Sequence, residues 1–358
     1  YEALPGLWIP ALLYEPINIQ GKIPAVLNVN GHVGPKGKAI EYEQIRCINL
    51  AKRGMLALHP EWLVFGELEG FDYKHNRLAY LDLCGLSGLA VFYLAMRGGV
   101  DVLLDYPFTD PGRLAMTGLS GGGWQTILLS ALDTRISAIV PNAGYIGMES
   151  RIAHRGDIGD LEQNPTDLVS IADYPHLTAM LAPRPALLLY NERDDCCFVS
   201  ERARPSVYEP VLPFYRLFGR DRDFEYHENK DPGTHNYDQD NRQQFYHFIL
   251  QQFFPGGEQN SEEFPSDAEL FNPDQLQVGL PEANANFFTL AYERLSSLPK
   301  HPAPTSDPLA LQSWQGEARS RLRDVLRLKS MAVSAAAIQR TKQVEQSGGE
   351  GSEEATLE

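Results

Sequence analysis

The chain has 358 residues, of which 43% are hydrophobic and 22% are charged, and its formal net charge is −16 at pH 7. This length fits one large α/β domain or two smaller domains. The negative charge argues against nucleic acid as a partner, because phosphate binding needs a basic face. No apolar run approaches the ~20 residues that a membrane-spanning helix needs. A membrane is therefore not predicted as a partner either.

The four cysteines, Cys47, Cys84, Cys196 and Cys197, have neither the CxxC spacing nor the spacing of a metal finger. They predict no disulfide framework and no zinc site. The adjacent Cys196 and Cys197 are interpreted as two small buried hydrophobic side chains, with a strained vicinal disulfide as the alternative. Because the chain begins at Tyr1 without a methionine or a leader-like segment, we expect a processed chain or a piece of a longer one.

Up to about residue 255, short apolar runs alternate with amphipathic stretches, as is typical of a parallel sheet covered by helices. The sequence therefore predicts an α/β-hydrolase fold, with a mostly parallel, doubly wound sheet and a lid-like insertion. Strands are predicted over residues 7–14, 25–30, 55–59, 114–118, 136–141, 186–191 and 224–227. Helices are predicted over residues 40–53, 81–104, 124–132, about 199–217, and 240–254.

The insertion is residues 142–181, which form too long a connection between two strands to lack structure of their own. We expect a helix or a lid there. Its acidic residues are interpreted as helix caps and a solvated rim, with a calcium site as the alternative; they include Asp157, Asp160, Glu162 and Asp167.

The composition changes after residue 255. Residues 1–255 are predicted to be the catalytic domain, and residues 256–310 a linker and packing segment with a short helix over 283–298. Residues 311–358 are predicted to hold an amphipathic helix over 314–337 and an acidic, low-complexity tail over 346–358, which should be disordered. The helix could be the start of a truncated second module.

A serine between glycines follows the predicted strand 114–118, in the order Gly118-Leu119-Ser120-Gly121-Gly122. This G-x-S-x-G pattern is what a nucleophile elbow requires, because side chains at the flanking positions would collide with the adjoining strand and helix. Ser120 is therefore the predicted nucleophile, and the N-terminus of the following helix favours a developing anion.

The acid and the base of a hydrolase of this type come later in the chain, in that order, in loops after strands. Asp194 follows strand 186–191 and is the predicted acid, with Asp195 and Glu192 as alternatives. His235 lies in the last loop before the final helix and is the predicted general base. A solvated acidic turn and an ordinary loop histidine are the structural alternatives.

The oxyanion hole should use the backbone N–H groups of Gly121 and of His32, which lies in the loop Asn30-Gly31-His32-Val33-Gly34 after an early strand. The side chain of His32 could also face the substrate. Trp62 and Phe65 are the candidate pocket residues, with packing in the core as the equal alternative. This mechanism calls for no metal and no organic cofactor.

Several segments together resemble the α/β-hydrolase superfamily, and more narrowly its acetylxylan esterase-like and dienelactone hydrolase-like branch. They are PAVLNVNGHVGPKG, ALHPEWLVFGE, GLSGGGWQ, APRPALLLYNERDDCCF and PGTHNY. The resemblance covers residues 1 to about 254 and implies Ser120, Asp194 and His235 as the triad. The serine departs from the cysteine nucleophile of dienelactone hydrolases, and Gly121 stands where glucuronoyl esterases have an arginine.

The expected function is thus a serine carboxylic-ester hydrolase that deacetylates carbohydrate, and the resemblance implies an exported enzyme with a small or polymeric ester substrate. A serine peptidase of the prolyl-oligopeptidase type and a degenerate, non-catalytic hydrolase domain are the alternatives. The identity of the ester and the oligomeric state are left open.

Overall fold

A computed structural model describes residues 1–257, 260–300 and 307–328. The chain divides into two compact units, Tyr1–Leu298 and Pro299–Glu358. The first unit contains the sheet, the helices around it and all of the candidate site residues. In the second unit, the described residues form one helix.

A seven-stranded sheet organises the first unit. Its strands run in the order β3-β5-β4-β6-β7-β8-β9; β3 is antiparallel to β5 and the other neighbours are parallel. A separate two-stranded sheet pairs β1 with β2. The strands are β1 Glu2–Leu4, β2 Leu7–Trp8, β3 Ala11–Tyr14, β4 Ile23–Val29, β5 Leu56–Pro60, β6 Thr109–Leu119, β7 Ala138–Asn142, β8 Ala186–Asn191 and β9 Phe224–Asn229.

Helices connect the parallel strands and cover the sheet. In the first unit they are α1 Glu41–Lys52, α2 Ala79–Leu83, α3 Gly88–Asp105, α4 Gly121–Leu132, α5 Met148–Ala153, α6 Leu168–Ile171, α7 Tyr174–Ala179, α8 Ser200–Ala203, α9 Leu212–Leu217, α10 Gln239–Phe253 and α11 Phe287–Arg294. The second unit contains α12 Pro308–Val325. The predicted fold, a mostly parallel sheet with flanking helices, is confirmed.

The core lies along the central strands and the helix after β6. Every residue of β7 and β8 is buried, as expected for parallel strands that are covered on both faces. In α4, every residue before Leu132 is buried. The element that begins at the candidate nucleophile is therefore surrounded by packed side chains, which keeps its N-terminus in one position.

Three predicted elements are broken in the structure. The strand predicted over 7–14 is two strands, of which the first pairs with β1 and only the second joins the main sheet. The helix predicted over 81–104 is interrupted between α2 and α3, where Gly85 has a φ of +70°. The region 199–217 is three short helical pieces, since prolines cannot donate the N–H of a continuous helix.

The insertion contains the short helices α5, α6 and α7, so the helical form of this prediction is confirmed. Residues 260–298 belong to the same compact unit as the sheet. Phe287 of α11 is 1% exposed, and its ring lies 6.2 Å from that of Tyr73 and 5.9 Å from that of Phe92. Apolar burial therefore holds residues 260–298 against the rest of the first unit.

The helix predicted over 314–337 is observed as α12, which starts earlier, at Pro308, and ends at Val325. Residues 329–337 of this prediction and the predicted tail over 346–358 lie outside the described residues. In the described residues, no single helix is long and apolar enough to cross a membrane. One bent pair of helical segments, His75–Leu83 with Gly88–Asp105, meets the length and composition criteria together, with an angle of 110° between them.

Candidate active site

Ser120 lies at the sharp turn between β6 and α4. Its φ of 59° and ψ of −120° fall in a region that non-glycine residues rarely adopt. The Ser120 amide donates a 2.9 Å hydrogen bond to the carbonyl of Asn142, at the end of the neighbouring strand β7. Strain of this kind persists only where the surroundings enforce it, and here packed backbone on both sides does so.

The flanking glycines are required by close approach of the backbone. A Cβ at Gly118 would lie 2.3 Å from the carbonyl oxygen of Val29, and a Cβ at Gly122 would lie 2.2 Å from the same atom. Both distances are too short for any side chain. The elbow is therefore pressed against the end of β4, which explains in physical terms the glycine spacing seen in the sequence.

His235 and Asp194 meet at the same edge of the sheet. Nδ1 of His235 lies 2.8 Å from Oδ2 and 3.0 Å from Oδ1 of Asp194. The imidazole side chain is 16% exposed, whereas that of Asp194 has no exposed surface. Burial disfavours the protonated imidazole, but the hydrogen bond to Asp194 and its charge outweigh burial, so the pKa of His235 is raised above its ordinary value.

The other two acidic candidates occupy different places. Asp195 accepts a 2.9 Å hydrogen bond from the backbone N–H of His235, and this bond lowers the pKa of its carboxyl. Glu192 pairs with Arg193 at 2.7 Å on the surface. The carboxylate on the imidazole of His235 is thus that of Asp194, while Asp195 contacts only the main chain of the same loop.

Backbone amides also hold the Asp194 carboxylate. Those of Cys196 and Cys197 donate to its Oδ1 at 3.1 and 3.0 Å. The prediction that both cysteines are buried is wrong: Cys196 is exposed and Cys197 is half-buried, because the turn directs their amides inward. Both are free thiols, with sulfur atoms 3.4 Å apart.

A network of buried asparagines surrounds this pair, and the sequence reasoning missed it. Asn191 donates to Oδ2 of Asp194 at 2.9 Å and accepts from Asn241 at 3.0 Å. Asn236, beside the base, donates to Oδ1 of Asn229 at 3.0 Å. Asn142 donates to the carbonyl of Asn236 at 3.0 Å. Asparagines at the ends of three consecutive parallel strands, β7, β8 and β9, were the available signal.

This network links the base loop to the elbow. The main-chain carbonyl of Asn142 holds the Ser120 amide, while its side chain holds the loop of His235. In the described residues, the Ser120 hydroxyl makes no hydrogen bond. Hydrogen bonds between a nucleophile and its base are often long without substrate and tighten when it binds. Ser120, Asp194 and His235 thus lie in three loops that follow β6, β8 and β9 at the same edge of the sheet.

The loop after β4 lies directly on the elbow. A Cβ at Gly31 would be 2.6 Å from the carbonyl oxygen of Leu119 and 2.8 Å from the amide nitrogen of Gly121. The next residue along this loop is His32. In the described part of the chain, neither the amide of Gly121 nor that of His32 donates a hydrogen bond to another residue. Two unpaired N–H groups beside a serine are what an oxyanion hole contains.

Trp62 packs against Gly121. A Cβ at Gly121 would lie 2.3 Å from the indole ring of Trp62, which has no exposed surface. The ring stacks on that of Phe65 with centroids 5.2 Å apart. Phe65 is half-buried, and only it retains surface that a substrate could reach. The structure therefore gives Trp62 a packing position under the candidate site, and a substrate contact by either ring stays a prediction.

The insertion contacts the oxyanion loop from the other side. Nε2 of His32 lies 3.2 Å from Oδ2 of Asp160, and Nδ1 of His75 lies 2.9 Å from the buried carboxylate of Glu162. Asp157 pairs with Arg202 at 2.9 Å and accepts from the Phe198 amide at 3.0 Å. Asp157 and Glu162 are buried and pair with side chains of other segments, so the interpretation as a solvated rim is wrong for these two residues.

Neither a family model nor a curated protein matches the chain in sequence. Solved structures do match it. A methylesterase is 21% identical with a TM-score of 0.59, covering 82% of this chain and 65% of its own. A Bacteroides fragilis protein provisionally assigned as an acetyl xylan esterase is 19% identical with a TM-score of 0.53, covering 64% of this chain and 65% of its own.

The catalytic domain of a glucuronoyl esterase from Hypocrea jecorina is 15% identical with a TM-score of 0.50, covering 76% of this chain and 77% of its own. The chain spans about 65% of the length of the first two proteins. At these identities the likeness shows the fold alone. It confirms the predicted α/β-hydrolase fold, and the neighbours include a protein from the branch that the sequence resembles.

Proposed function

We propose that this protein is a serine carboxylic-ester hydrolase that uses Ser120, His235 and Asp194 as its triad. The observation that carries the proposal is the strained serine at an elbow, at the same edge of the sheet as a histidine–aspartate pair 2.8 Å apart. Nothing in an ordinary structural turn requires a serine with these backbone angles beside two unpaired amides. The α/β-hydrolase fold supports the same assignment, because its catalytic loops lie at this edge of the sheet.

In the proposed reaction, the neutral imidazole of His235 accepts the proton of the Ser120 hydroxyl while the oxygen attacks the ester carbonyl. Asp194 keeps Nδ1–H directed at its carboxylate and stabilises the imidazolium that forms. The backbone N–H groups of Gly121 and His32 donate to the oxyanion. The imidazolium then protonates the leaving alcohol, which leaves an acyl-enzyme at Ser120.

Water completes the cycle. His235 takes a proton from a water molecule that attacks the acyl carbonyl, a second oxyanion forms in the same hole, and Ser120 leaves with the proton that His235 returns. The products are a carboxylic acid and the regenerated serine. Every proton transfer in this cycle passes through the side chain of His235, and none requires a metal or organic cofactor.

The proposed substrate is an ester on a carbohydrate, with acetylated xylan as the first choice. The solved structures with this fold carry the names of esterases, including an acetyl xylan esterase by provisional assignment and a glucuronoyl esterase. The formal net charge of −16 suits a neutral ester better than an anionic substrate. Export of the protein remains a prediction from the resemblance.

A comparison of substrates tests this function. We expect the protein to release acetate from acetylated xylan and to cleave no prolyl peptide substrate, while Ser120→Ala does neither. Methanol release from a methyl-esterified uronan should be measured in parallel. Such release would indicate that the substrate is an ester of a sugar carboxyl group rather than an acetyl ester of a sugar hydroxyl group. Peptide cleavage without ester hydrolysis would favour the peptidase alternative. A folded protein with no hydrolytic activity in any assay would favour the non-catalytic one.

A further inference from the structure

We propose that His32, His75 and Asp160 form a binding site for a transition-metal ion of the Zn²⁺ type at the mouth of the candidate active site. One nitrogen of each histidine and one carboxylate oxygen of Asp160 lie within 4.8 Å of one another. The three residues come from separate segments: the loop after β4, the short helical turn His75–Leu78, and the insertion. Their side chains meet only in the folded chain.

The distances fit a metal site. Zn²⁺ binds nitrogen and oxygen at about 2.0–2.2 Å, so ligand atoms in a tetrahedral site are about 3.3 Å apart. Nε2 of His32 and Oδ2 of Asp160 are 3.2 Å apart. The imidazole of His32 is 45% exposed, and its ring centroid lies 5.2 Å from that of His75. Two imidazoles and one carboxylate favour Zn²⁺ and its neighbours in the first transition row over Mg²⁺ or Ca²⁺.

The surroundings of His75 are those of a ligand. Its Nδ1 lies 2.9 Å from a carboxylate oxygen of Glu162, whose side chain has no exposed surface. Its Nε2 is buried and has no hydrogen-bond partner in the described residues. A histidine that binds a metal through one nitrogen is generally held by a carboxylate at the other, which fixes the ring and raises its basicity. A buried nitrogen without a partner is otherwise unfavourable, because it has lost its hydrogen bond to water and made no hydrogen bond in the protein.

The proposed metal site lies between the insertion and the loop after β4. His32 also contributes the backbone amide that we place in the oxyanion hole, and Asp160 belongs to the insertion. A bound ion would link the insertion to the loop that lies on the elbow. Three protein ligands leave at least one coordination position for water or for an oxygen of a ligand. The ion is separate from the serine mechanism, and its binding can be measured without any ester substrate.

The experiment is a titration of the chain, prepared without a polyhistidine tag and treated with chelator, with ZnCl₂ alone in a calorimeter. We expect one ion per chain and a melting temperature that rises with Zn²⁺ concentration, since ligand binding stabilises the folded state by mass action. His75→Ala and Asp160→Asn should each weaken binding about 100-fold, and Glu162→Gln, which removes only the supporting carboxylate, about tenfold. The control His154→Ala, an exposed histidine in the insertion, should bind like the original protein.

A second group of candidate ligands must be separated from this one. Cys196, Cys197 and His235 also bring their ligand atoms within 4.8 Å of one another. The double variant Cys196→Ala/Cys197→Ala should keep the binding, and Co²⁺ should give a visible spectrum without a thiolate charge-transfer band. No Zn²⁺ binding by the original protein, unchanged binding in His75→Ala or Asp160→Asn, or loss of binding in the cysteine variant would overturn the proposal. If His75→Ala fails to fold, the partly exposed Asp160 still decides the matter through Asp160→Asn.

Discussion

Two regions meet at the candidate active site and are built differently. The catalytic floor consists of the triad with the asparagines around it: Ser120, Asp194, His235, Asn142, Asn191, Asn229, Asn236 and Asn241. The rim consists of His32, Trp62, Phe65, His75, Asp160 and Glu162. In the floor, buried amides donate to the Asp194 carboxylate, to backbone and to one another at 2.9–3.4 Å. In the rim, the contacts are ring packing and two histidine–carboxylate pairs, of which His32–Asp160 reaches the surface.

This difference indicates which of the two regions fixes the positions of the reacting groups. Buried hydrogen bonds cannot be exchanged for water without cost, so the floor has one arrangement. Ring contacts and exposed charged pairs are weaker and adjust more easily. The rim is consequently the region where substrate or ion can change the structure, and the floor is the region that fixes the reaction. Substitutions in the two regions should therefore have different kinetic effects.

The largest effect is expected from the triad acid. Asp194→Asn should lower kcat by about 10⁴-fold, because an amide does not hold the imidazole in the tautomer that accepts the serine proton. Asp195→Asn is the matched control and should stay within about tenfold, since Asp195 contacts only the backbone of His235. Ester turnover by both purified variants is the measurement. A larger loss in Asp195→Asn would mean that the acid is misassigned.

The pH dependence of kcat/KM should also depend on the carboxylate of Asp194. Because the pKa of His235 is raised and only its neutral form accepts a proton, kcat/KM should fall about tenfold per pH unit below that pKa. The midpoint of this acidic limb should lie above 6.5, the ordinary value for histidine. In Asp194→Asn, loss of the negative charge removes what stabilises the imidazolium, so the limb of the residual activity should move to lower pH. An unmoved limb would show that another group controls it.

A smaller effect is expected from the asparagine that supports the acid. Asn191→Ala removes the side-chain donor to Asp194 and one of the three acceptors of the Asn241 amide. The free energy of unfolding should fall by about 1–3 kcal/mol, and kcat by about 10- to 100-fold through misplacement of the pair. Denaturant unfolding and ester turnover measure the two. Asn260→Ala, at an exposed position, is the control and should change neither. A normal kcat in Asn191→Ala would contradict the claim that Asn191 positions the His235–Asp194 pair for catalysis.

The smallest effect is expected from the rim. Phe65→Ala removes a half-buried ring that stacks on Trp62. We expect KM for a carbohydrate ester to rise about 3- to 10-fold with kcat within about twofold, because contacts made equally in ground and transition state affect binding alone. Steady-state kinetics with acetylated xylan fragments and with a small acetyl ester would show the split. A fall in kcat at constant KM would assign Phe65 to the floor.

The sequence predicted the parts of the site that local rules determine. The spacing of Gly118, Ser120 and Gly122 reflects contacts with the adjacent strand β4, and the positions of Asp194 and His235 follow from chain order in this fold. Strand β8 was predicted at its observed bounds, because a short apolar run between turn residues has the length of a buried strand.

The parts that depend on distant segments could not be predicted. The asparagine network and the meeting of His32, His75 and Asp160 join residues far apart in the chain, and no spacing in the sequence indicates them. The break after α2 and the exposure of Cys196 were missed for a related reason. Apolar periodicity and residue type do not record which way a turn directs its amides.

The most direct test of the central claim is covalent labelling of the nucleophile. A fluorophosphonate probe should modify the folded protein at one residue, identified as Ser120 by mass spectrometry of the labelled peptide. Labelling should be lost in Ser120→Ala and strongly slowed in His235→Ala, with both variants shown to be folded by their unfolding transitions. Labelling that persists in Ser120→Ala, or a folded original protein that does not react, would contradict the assignment of Ser120 as the activated serine of this site.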